Sequence, residues 1–298
     1  MLRLLPHTSI SKKLWDECNT NSYSNSILHS YDYISCICSH WMAVVYIEDG
    51  IYKLILPLPY KIKLGIKYVY HPPLLQQLNI VHRKNFICNH QKIWNLIKSK
   101  FLYVHCKVAA STNAPASWKL NKKDNFIIDL SCNYKDIYIH YHNTLKSILR
   151  KASHQYHFIW NKELTKTDFL QFTKLEKYNN KMAPIQDELH KVLDYTWNKE
   201  GICYSLYLDD EFLACIYIVK SATILTNLIN LSTEKGKKYN AVSLLIDYVL
   251  RKYAGQHLIF DFEGSSVPSI AKFFAKFGGA KIQYDEIQYT KWYMRIFI

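Results

Sequence analysis

The chain has 298 residues, of which 49% are hydrophobic and 21% charged; this is enough for two ordinary folded domains and excludes a disordered chain. No apolar run approaches the ~20 residues that a membrane span needs, and eight cysteines without CxxC pairs predict reduced core thiols in a cytoplasmic protein with no metal site. The net charge of +14 is uneven: residues 1–150 hold 19 Lys/Arg against 8 Asp/Glu (+11), and residues 151–298 hold 19 against 16 (+3).

In the first half, apolar residues at helical spacing predict two short helices, at residues 10–18 and 31–38. Two apolar runs on either side of Glu48-Asp49-Gly50 predict a β-hairpin with Gly50 in the tight turn. Further elements are then predicted in the order of a helix at 91–100, a strand at 101–108, a polar loop at 111–124, a strand at 126–130 and one long helix at 134–152.

The second half repeats this order of elements. Helices are predicted at 167–178 and 184–197, and a hairpin then turns at Asp209-Asp210. Next come a strand at 223–231, a polar loop at 232–240, a helix at 241–253, a strand-turn-helix unit at 258–279 and two strands at 280–286 and 289–298. The predicted fold is α/β (α+β) with domains at 1–150 and 151–298; whether the last strand pairs within its own domain or crosses back to the first is left open.

The strand-turn-helix unit at 258–279 carries the clearest local signals. Apolar and polar residues alternate up to Glu263, as in a strand, and Gly264 ends it. Ser265 and Ser266 are predicted to cap the next helix, and Pro268 fits its first turn, where the missing N–H costs nothing. The unit therefore places the end of a strand directly before the start of a helix.

Two carboxylates, Asp261 and Glu263, lie side by side at the end of this strand. Ligands of open α/β sheets bind beyond the carboxyl ends of strands, where helices begin. The pair is therefore the candidate catalytic site. A purely structural role, with Glu263 at the helix start and Asp261 in an ion pair, explains it equally well.

The order helices, hairpin, strand, helix and strand is that of GNAT-type acyltransferases, and it occurs twice. The sequence FDFEGS followed by FAKFGG, within residues 260–279, resembles the FDFGGS…FK.GFG pattern of FemABX-type and related tandem-GNAT transferases. The runs LWDEC (14–18), PLPYKIKLGIKY (57–68) and HPPLLQQL (71–78) resemble uncharacterised FemAB-like proteins, and TLKSILRKA (144–152) resembles the basic helix that leaves their first domain. The resemblance implies two GNAT-like domains, each a mixed central sheet flanked by helices.

The resemblance also implies an N-acyl or N-aminoacyl transferase. The donor substrate would be acyl-CoA or aminoacyl-tRNA, without a tightly bound cofactor, and the acceptor a primary amine on a small molecule or a cell-wall precursor. Asp261 or Glu263 would take the proton of the amine or orient the acceptor. The donor phosphate would be held by a loop that includes Gly236, Lys237, Lys238, Asn240 and Ala241.

Two departures from the family patterns support alternatives. The GNAT phosphate loop reads Q/R-x-x-G-x-G/A, whereas residues 234–241 read EKGKKYNA, and Phe274 stands where the FemABX pattern has a lysine. A non-catalytic GNAT-fold binding protein is therefore an alternative. The +11 half alone supports a third interpretation, an RNA-binding module with tRNA as one partner, although a lysine-rich surface without a ligand gives the same charge. The sequence leaves the oligomeric state open.

Overall fold

The computed structural model describes residues 1–174, 182–264 and 268–291, and the chain divides into two compact units. The first comprises Met1–Lys123 and the chain from Gln283 onward; the second comprises Asp124–Ile282. Two strands, β7 (Lys119–Asp129) and β13 (Ala280–Thr290), begin in one unit and end in the other. None of the helices in the described ranges has the length and hydropathy that crossing a membrane requires.

The first unit contains a mixed sheet in the order β1-β2-β3-β4-β6-β13, with β5 beside β3. Neighbours are antiparallel except β4 and β6, which are parallel. The strands are β1 Leu2–Pro6, β2 Trp41–Glu48, β3 Ile51–Lys63, β4 Ile66–Val69, β5 Val81–His82, β6 Tyr103–Ala109 and the later part of β13. The helices are Lys12–Thr20, Tyr31–Ile37 and His90–Lys100.

Local chemistry explains the elements of the first unit. Asp49 and Gly50 both have positive φ, as the tight turn of a two-residue hairpin requires, so β2 and β3 pair as predicted. Ser11 caps the helix Lys12–Thr20 by accepting from the Leu14 N–H. The helix buries Trp15, whose indole N–H donates to the His29 carbonyl. The Trp15 ring thus lies inside the unit with its one polar atom hydrogen-bonded.

The second unit contains a mixed sheet in the order β7-β12-β11-β10-β9-β8, in which β11 and β12 are parallel and the other neighbours antiparallel. Its further strands are β8 Phe158–Trp160, β9 Gly201–Leu208, β10 Glu211–Lys220, β11 Ile224–Ser232 and β12 Ile259–Asp261. The helices in its described residues are Tyr134–Ile139, Asn143–Gln155, Lys166–Thr173, Gln186–Thr196, Glu234–Lys238, Ala241–Tyr253 and Pro268–Ala275.

One face of this second sheet packs on helices to form the main core. The inward residues alternate along the strands, as Ile216 and Ile218 do on β10, and they meet Leu245 and Val249 of the helix Ala241–Tyr253. Phe274 belongs to the same core, 4% exposed, with its ring centroid 4.7 Å from that of Phe262. Phe274, which stands where the FemABX pattern has a lysine, is therefore a core residue of the helix Pro268–Ala275.

Several predicted elements differ from the structure. The long helix at 134–152 is two helices, because His142 is extended and its side chain caps the second one by accepting from the Thr144 N–H. The polar loop 111–124 gives way to β7 at Lys119, and the polar loop 232–240 contains the helix Glu234–Lys238, which Thr233 caps. The two strands predicted at 280–286 and 289–298 are one strand as far as Thr290.

Other predictions fall on residues that are not described. The end of the helix at 167–178, the caps Ser265 and Ser266, and the chain after Lys291 all lie outside the described residues.

Candidate functional site

The candidate site lies where β11 and β12 stop pairing in the second unit. The two strands pair in parallel through only three residues each, Ile224–Thr226 with Ile259–Asp261. β11 continues to Ser232, whereas the chain after β12 turns at Glu263, which has the left-handed φ of 59°. Beyond Thr226, β11 therefore has no ladder partner on its β12 side among the described residues, and we call this unpaired edge the gap beside β11.

Two asparagines of β11 face the core side of the sheet at this gap. A bulge at Leu228 brings Asn227 opposite Ile218, while Asn230 lies opposite Ile216, so both share the face that packs on the helix Ala241–Tyr253. Asn227 is only 3% exposed, and among the described residues neither its Oδ1 nor its Nδ2 has a hydrogen-bond partner. A buried amide without a partner costs about 1–3 kcal/mol, so Asn227 is a strong candidate to contact a ligand.

Asp261 is held at the end of β12 by two hydrogen bonds to one carboxylate oxygen. Its Oδ1 accepts from Asn125 Nδ2 at 2.9 Å and from the Glu263 backbone N–H at 2.7 Å. Burial raises the pKa of the Asp261 carboxyl above its usual range, although both hydrogen bonds act to lower it. A carboxylate with a raised pKa is a better proton acceptor near neutral pH.

Glu263 occupies a strained position in the same turn. A non-glycine residue with φ of 59° costs about 1–2 kcal/mol, and such strain persists only where neighbouring contacts impose it. Here the hydrogen bond from the Glu263 N–H to Asp261 fixes the turn. Strained residues cluster at functional sites, which keeps Glu263 as a candidate catalytic carboxylate.

Gly236, predicted to let a phosphate approach, is a tightly packed residue of the short helix Glu234–Lys238. A Cβ at this position would lie 2.0 Å from the Leu213 carbonyl oxygen, so the fold itself requires glycine. The Gly236 N–H donates to Thr233 Oγ1 at 2.9 Å as part of the helix cap. The packing therefore explains this glycine without a phosphate.

The other four predicted phosphate-binding residues have different surroundings. Lys237 Nζ lies 2.8 Å from Glu234 Oε1 in an exposed ion pair. Asn240, with φ of 54°, and the buried Ala241 begin the helix Ala241–Tyr253. Lys238 and Asn240 line a cavity of about 290 Å³ together with Lys151. The structure thus places Lys238 and Asn240 in the lining of one cavity. Lys237 is not part of that lining and is paired with Glu234 instead.

The strand register separates the carboxylates from this loop. Asp261 is level with Thr226 on β11, and six residues at about 3.3 Å each lead from there to Ser232, just before the loop. The separation along the strand is thus about 20 Å. A single ligand that reaches both must be long, with its phosphates far from its reacting carbonyl.

The sequence reading missed Asn227, Asn230 and Asn125. A signal was available for the first two, because the strand TILTNLINL carries two asparagines three residues apart. Strict alternation would put these on opposite faces, so polar residues at that spacing in an apolar strand indicate a bulge. No comparable local signal identifies Asn125, whose role depends on the pairing of β7 with β12.

His71, in the HPPLLQQL run of the first unit, is a structural residue. Its Nε2 lies 2.6 Å from the Leu75 carbonyl oxygen, and its Nδ1 accepts from the Lys107 N–H at 3.3 Å. Burial lowers the pKa of His71 to about 3, so the ring stays neutral and braces the loop.

Comparison with solved structures identifies the fold. The crystal structure of FemX has a TM-score of 0.63 over 96% of this chain and 97% of its own, at 10% identity. A conserved protein of unknown function from Bacteroides thetaiotaomicron gives 0.64 over 98% and 100%, at 9% identity. A tandem GNAT protein from the clavulanic acid biosynthesis pathway gives 0.57 over 97% and 98%, at 10% identity.

These likenesses confirm the predicted fold, a tandem GNAT arrangement of the FemX type in which mixed sheets are flanked by helices. Sequence comparison adds nothing further, because no family model and no curated protein match the chain.

Proposed function

We propose that the protein is an N-acyl or N-aminoacyl transferase that moves an acyl group from a phosphate-bearing donor to a primary amine. The observation that supports this most directly is the buried Asn227 amide on β11, one residue beyond Thr226, which is level with Asp261. The FemX and tandem GNAT folds support the same reaction class by analogy alone.

In the proposed reaction, the amine nitrogen attacks the donor carbonyl in the gap beside β11. Asn227 Nδ2 donates to the oxygen that becomes negative in the tetrahedral intermediate. Glu263 accepts the proton that the amine loses, and Asp261 positions Glu263 through its hydrogen bond to the Glu263 N–H. The tetrahedral intermediate then collapses with the new C–N bond kept: the bond from carbon to the leaving sulfur or oxygen breaks, and the leaving group takes up the proton that Glu263 accepted, which restores the carboxylate.

The donor is an acyl-CoA or an aminoacyl-tRNA. In acyl-CoA a long arm separates the thioester from the phosphates, and in aminoacyl-tRNA successive nucleotides provide the same reach. Either donor is long enough to span the ~20 Å of β11 between the level of Asp261 and the segment 234–241. The acceptor is an amine of a small molecule or of a cell-wall precursor.

The test is a transfer assay with labelled acyl-CoAs and aminoacyl-tRNAs against a panel of amines, using the wild type, Glu263→Gln and Glu163→Gln. Loss of a general base lowers the rate by about 10²- to 10⁴-fold, so Glu263→Gln should lose transfer while its thermal unfolding stays near that of the wild type. Glu163 is exposed and follows β8, so its substitution serves as the control. Full turnover in Glu263→Gln would remove that residue from the mechanism.

One observation favours the alternative of a non-catalytic GNAT-fold binding protein. Gly236 packs against Leu213, and this packing alone explains why the position is glycine, without a phosphate ligand. A protein of that kind should transfer no acyl group from any donor and should not be stabilised by CoA. An RNA-binding module should lose affinity steeply with salt and be indifferent to Lys238→Ala.

A further inference from the structure

A second and larger cavity in the same unit has walls made of aromatic rings. It has a volume of about 670 Å³ and lies between the helices Asn143–Gln155 and Ala241–Tyr253. This volume is within the usual range for small-molecule sites. The rings that line it are Tyr134, Tyr138, Tyr156, Phe158, Trp160 and Tyr248.

These rings are held in place without a ligand. Trp160 and Tyr248 stack with centroids 5.3 Å apart and planes 21° apart, and the Tyr248 hydroxyl accepts from Asn161 Nδ2 at 2.8 Å. Trp160 is nevertheless 39% exposed. A fixed ring with an open side is a surface on which another planar ring can stack.

The charges in the cavity favour an anion. Asp247, the one acidic residue among the described residues that line it, is already paired: its Oδ1 accepts from the Tyr134 hydroxyl at 2.7 Å, and its Oδ2 lies 3.5 Å from Arg251. Arg150 and His157 add basic groups to the lining. A neutral sugar also stacks on rings, but it gives no reason for this excess of basic groups.

The smaller cavity of about 290 Å³ lies beside the aromatic one. Ala152 and Tyr156 line both of them. The smaller one carries Lys151 and Lys238, from two different helical segments. The aromatic rings of the larger cavity and the two lysines of the smaller one therefore lie on either side of a wall that Ala152 and Tyr156 form.

We propose that these adjoining cavities bind a nucleotide, with its base among the aromatic rings near Trp160 and its phosphate between Lys151 and Lys238. Binding itself does not depend on catalysis. Its identification as the adenosine phosphate end of the donor rests on the proposed function, because acyl-CoA and the 3′ end of aminoacyl-tRNA share that group. The donor would then bend at the lysines, with its base beside the helix Ala241–Tyr253 and its acyl end directed to the gap beside β11.

The experiment is isothermal titration of the full chain at fixed ionic strength with adenosine, adenosine 3′,5′-bisphosphate, coenzyme A, a short RNA ending in CCA and a neutral oligosaccharide. Loss of a stacking ring costs about 1–3 kcal/mol per base, so Trp160→Ala should weaken binding by about 5- to 150-fold. The double variant Lys151→Ala with Lys238→Ala should weaken the bisphosphate more than adenosine. Tyr23→Ala, which removes an aromatic ring 69% exposed in the first unit, should leave binding unchanged.

Each outcome decides the proposal. Unchanged affinity in both the Trp160 variant and the lysine variant overturns it, as does binding of a neutral oligosaccharide with no binding of any nucleotide. The lysines are at the surface, so the double variant tests the site even where Trp160→Ala fails to fold. Tighter binding of coenzyme A than of CCA RNA identifies the donor as acyl-CoA, and the reverse identifies tRNA.

These titrations, combined with the transfer assay carried out on the same variants, separate this proposal from the transferase. Nucleotide binding that depends on Trp160, in a protein that transfers nothing, supports the cavity and rejects the reaction. Transfer with a donor KM that is unchanged by Trp160→Ala and by the lysine variant supports the reaction and rejects the cavity.

Discussion

The turn at Asp261–Glu263 and the segment at 234–241 differ in how their polar groups are used. In the turn, a strained Glu263 is held by a carboxylate, and the nearby strand buries an amide without a described partner. In the segment, the Gly236 N–H is bonded to Thr233 and Lys237 is paired with Glu234. The positive φ of Glu263 and the buried amide both destabilise the first region, and the fold alone does not explain them. In the second region, local hydrogen bonds and ion pairs explain most of the polar groups.

Gly236→Ala gives the largest expected effect and tests whether the glycine is structural. The added Cβ would meet the Leu213 carbonyl oxygen at 2.0 Å, and neither backbone can move freely. We expect the free energy of unfolding to fall by about 3 kcal/mol, measured by urea denaturation.

The control for this variant is Gly255→Ala. Gly255 has φ of 82° with nothing within 4 Å of a Cβ, so only conformational strain of about 1 kcal/mol is expected. If Gly236→Ala lowers the free energy of unfolding only slightly but abolishes donor binding, Gly236 contributes to phosphate binding instead.

Asn227→Leu should separate stability from activity. Leucine has the same number and branching of heavy side-chain atoms as asparagine and removes a buried amide without a described partner, so the free energy of unfolding should rise by about 1–3 kcal/mol. Transfer should fall by about 10²- to 10³-fold if the amide stabilises the oxyanion. Thermal unfolding and single-turnover rates measure the two effects. A loss of stability on this substitution would show that the amide already has a partner in the folded protein.

The sequence predicted those parts of the fold whose signals are local. The hairpins at Asp49-Gly50 and Asp209-Asp210 and the helix Ala241–Tyr253 are found as predicted, because turn residues and apolar spacing act over short stretches. The break at His142 was missed because histidine is not among the usual capping residues.

The candidate site was only partly predictable for the same reason. Asp261 and Glu263 could be found because alternation predicts the end of a strand there, and Asp261 does end β12, but the partner of Asp261 is Asn125, which is 136 residues away. The contact of Gly236 with Leu213 depends on the packing of distant strands. Such contacts follow from register and tertiary packing, which no short stretch of sequence specifies.

Asp261→Asn should change how stability depends on pH. The raised pKa of Asp261 means that the native carboxyl holds its proton more tightly than the unfolded one. Its contribution to stability is therefore present below the unfolded pKa and lost as pH rises through the folded pKa, at no more than about 1.4 kcal/mol per pH unit. An asparagine keeps an acceptor for Asn125 and for the Glu263 N–H. The Asp261→Asn variant should therefore have a higher free energy of unfolding than the wild type at pH 7, and this difference should shrink toward pH 4. Denaturation at several pH values measures it.

Lys237→Ala should have the smallest effect and completes the comparison. The pair with Glu234 is exposed, with side chains 58% and 73% accessible, and such pairs contribute at most about 0.5 kcal/mol. We expect a small change in the free energy of unfolding and an unchanged affinity for coenzyme A, because Lys237 is not among the residues that line the small cavity. Lys238→Ala is the matched variant and should weaken coenzyme A binding. If the two variants weaken binding equally, the phosphate is held by the general charge of the segment, and the small cavity is not its site.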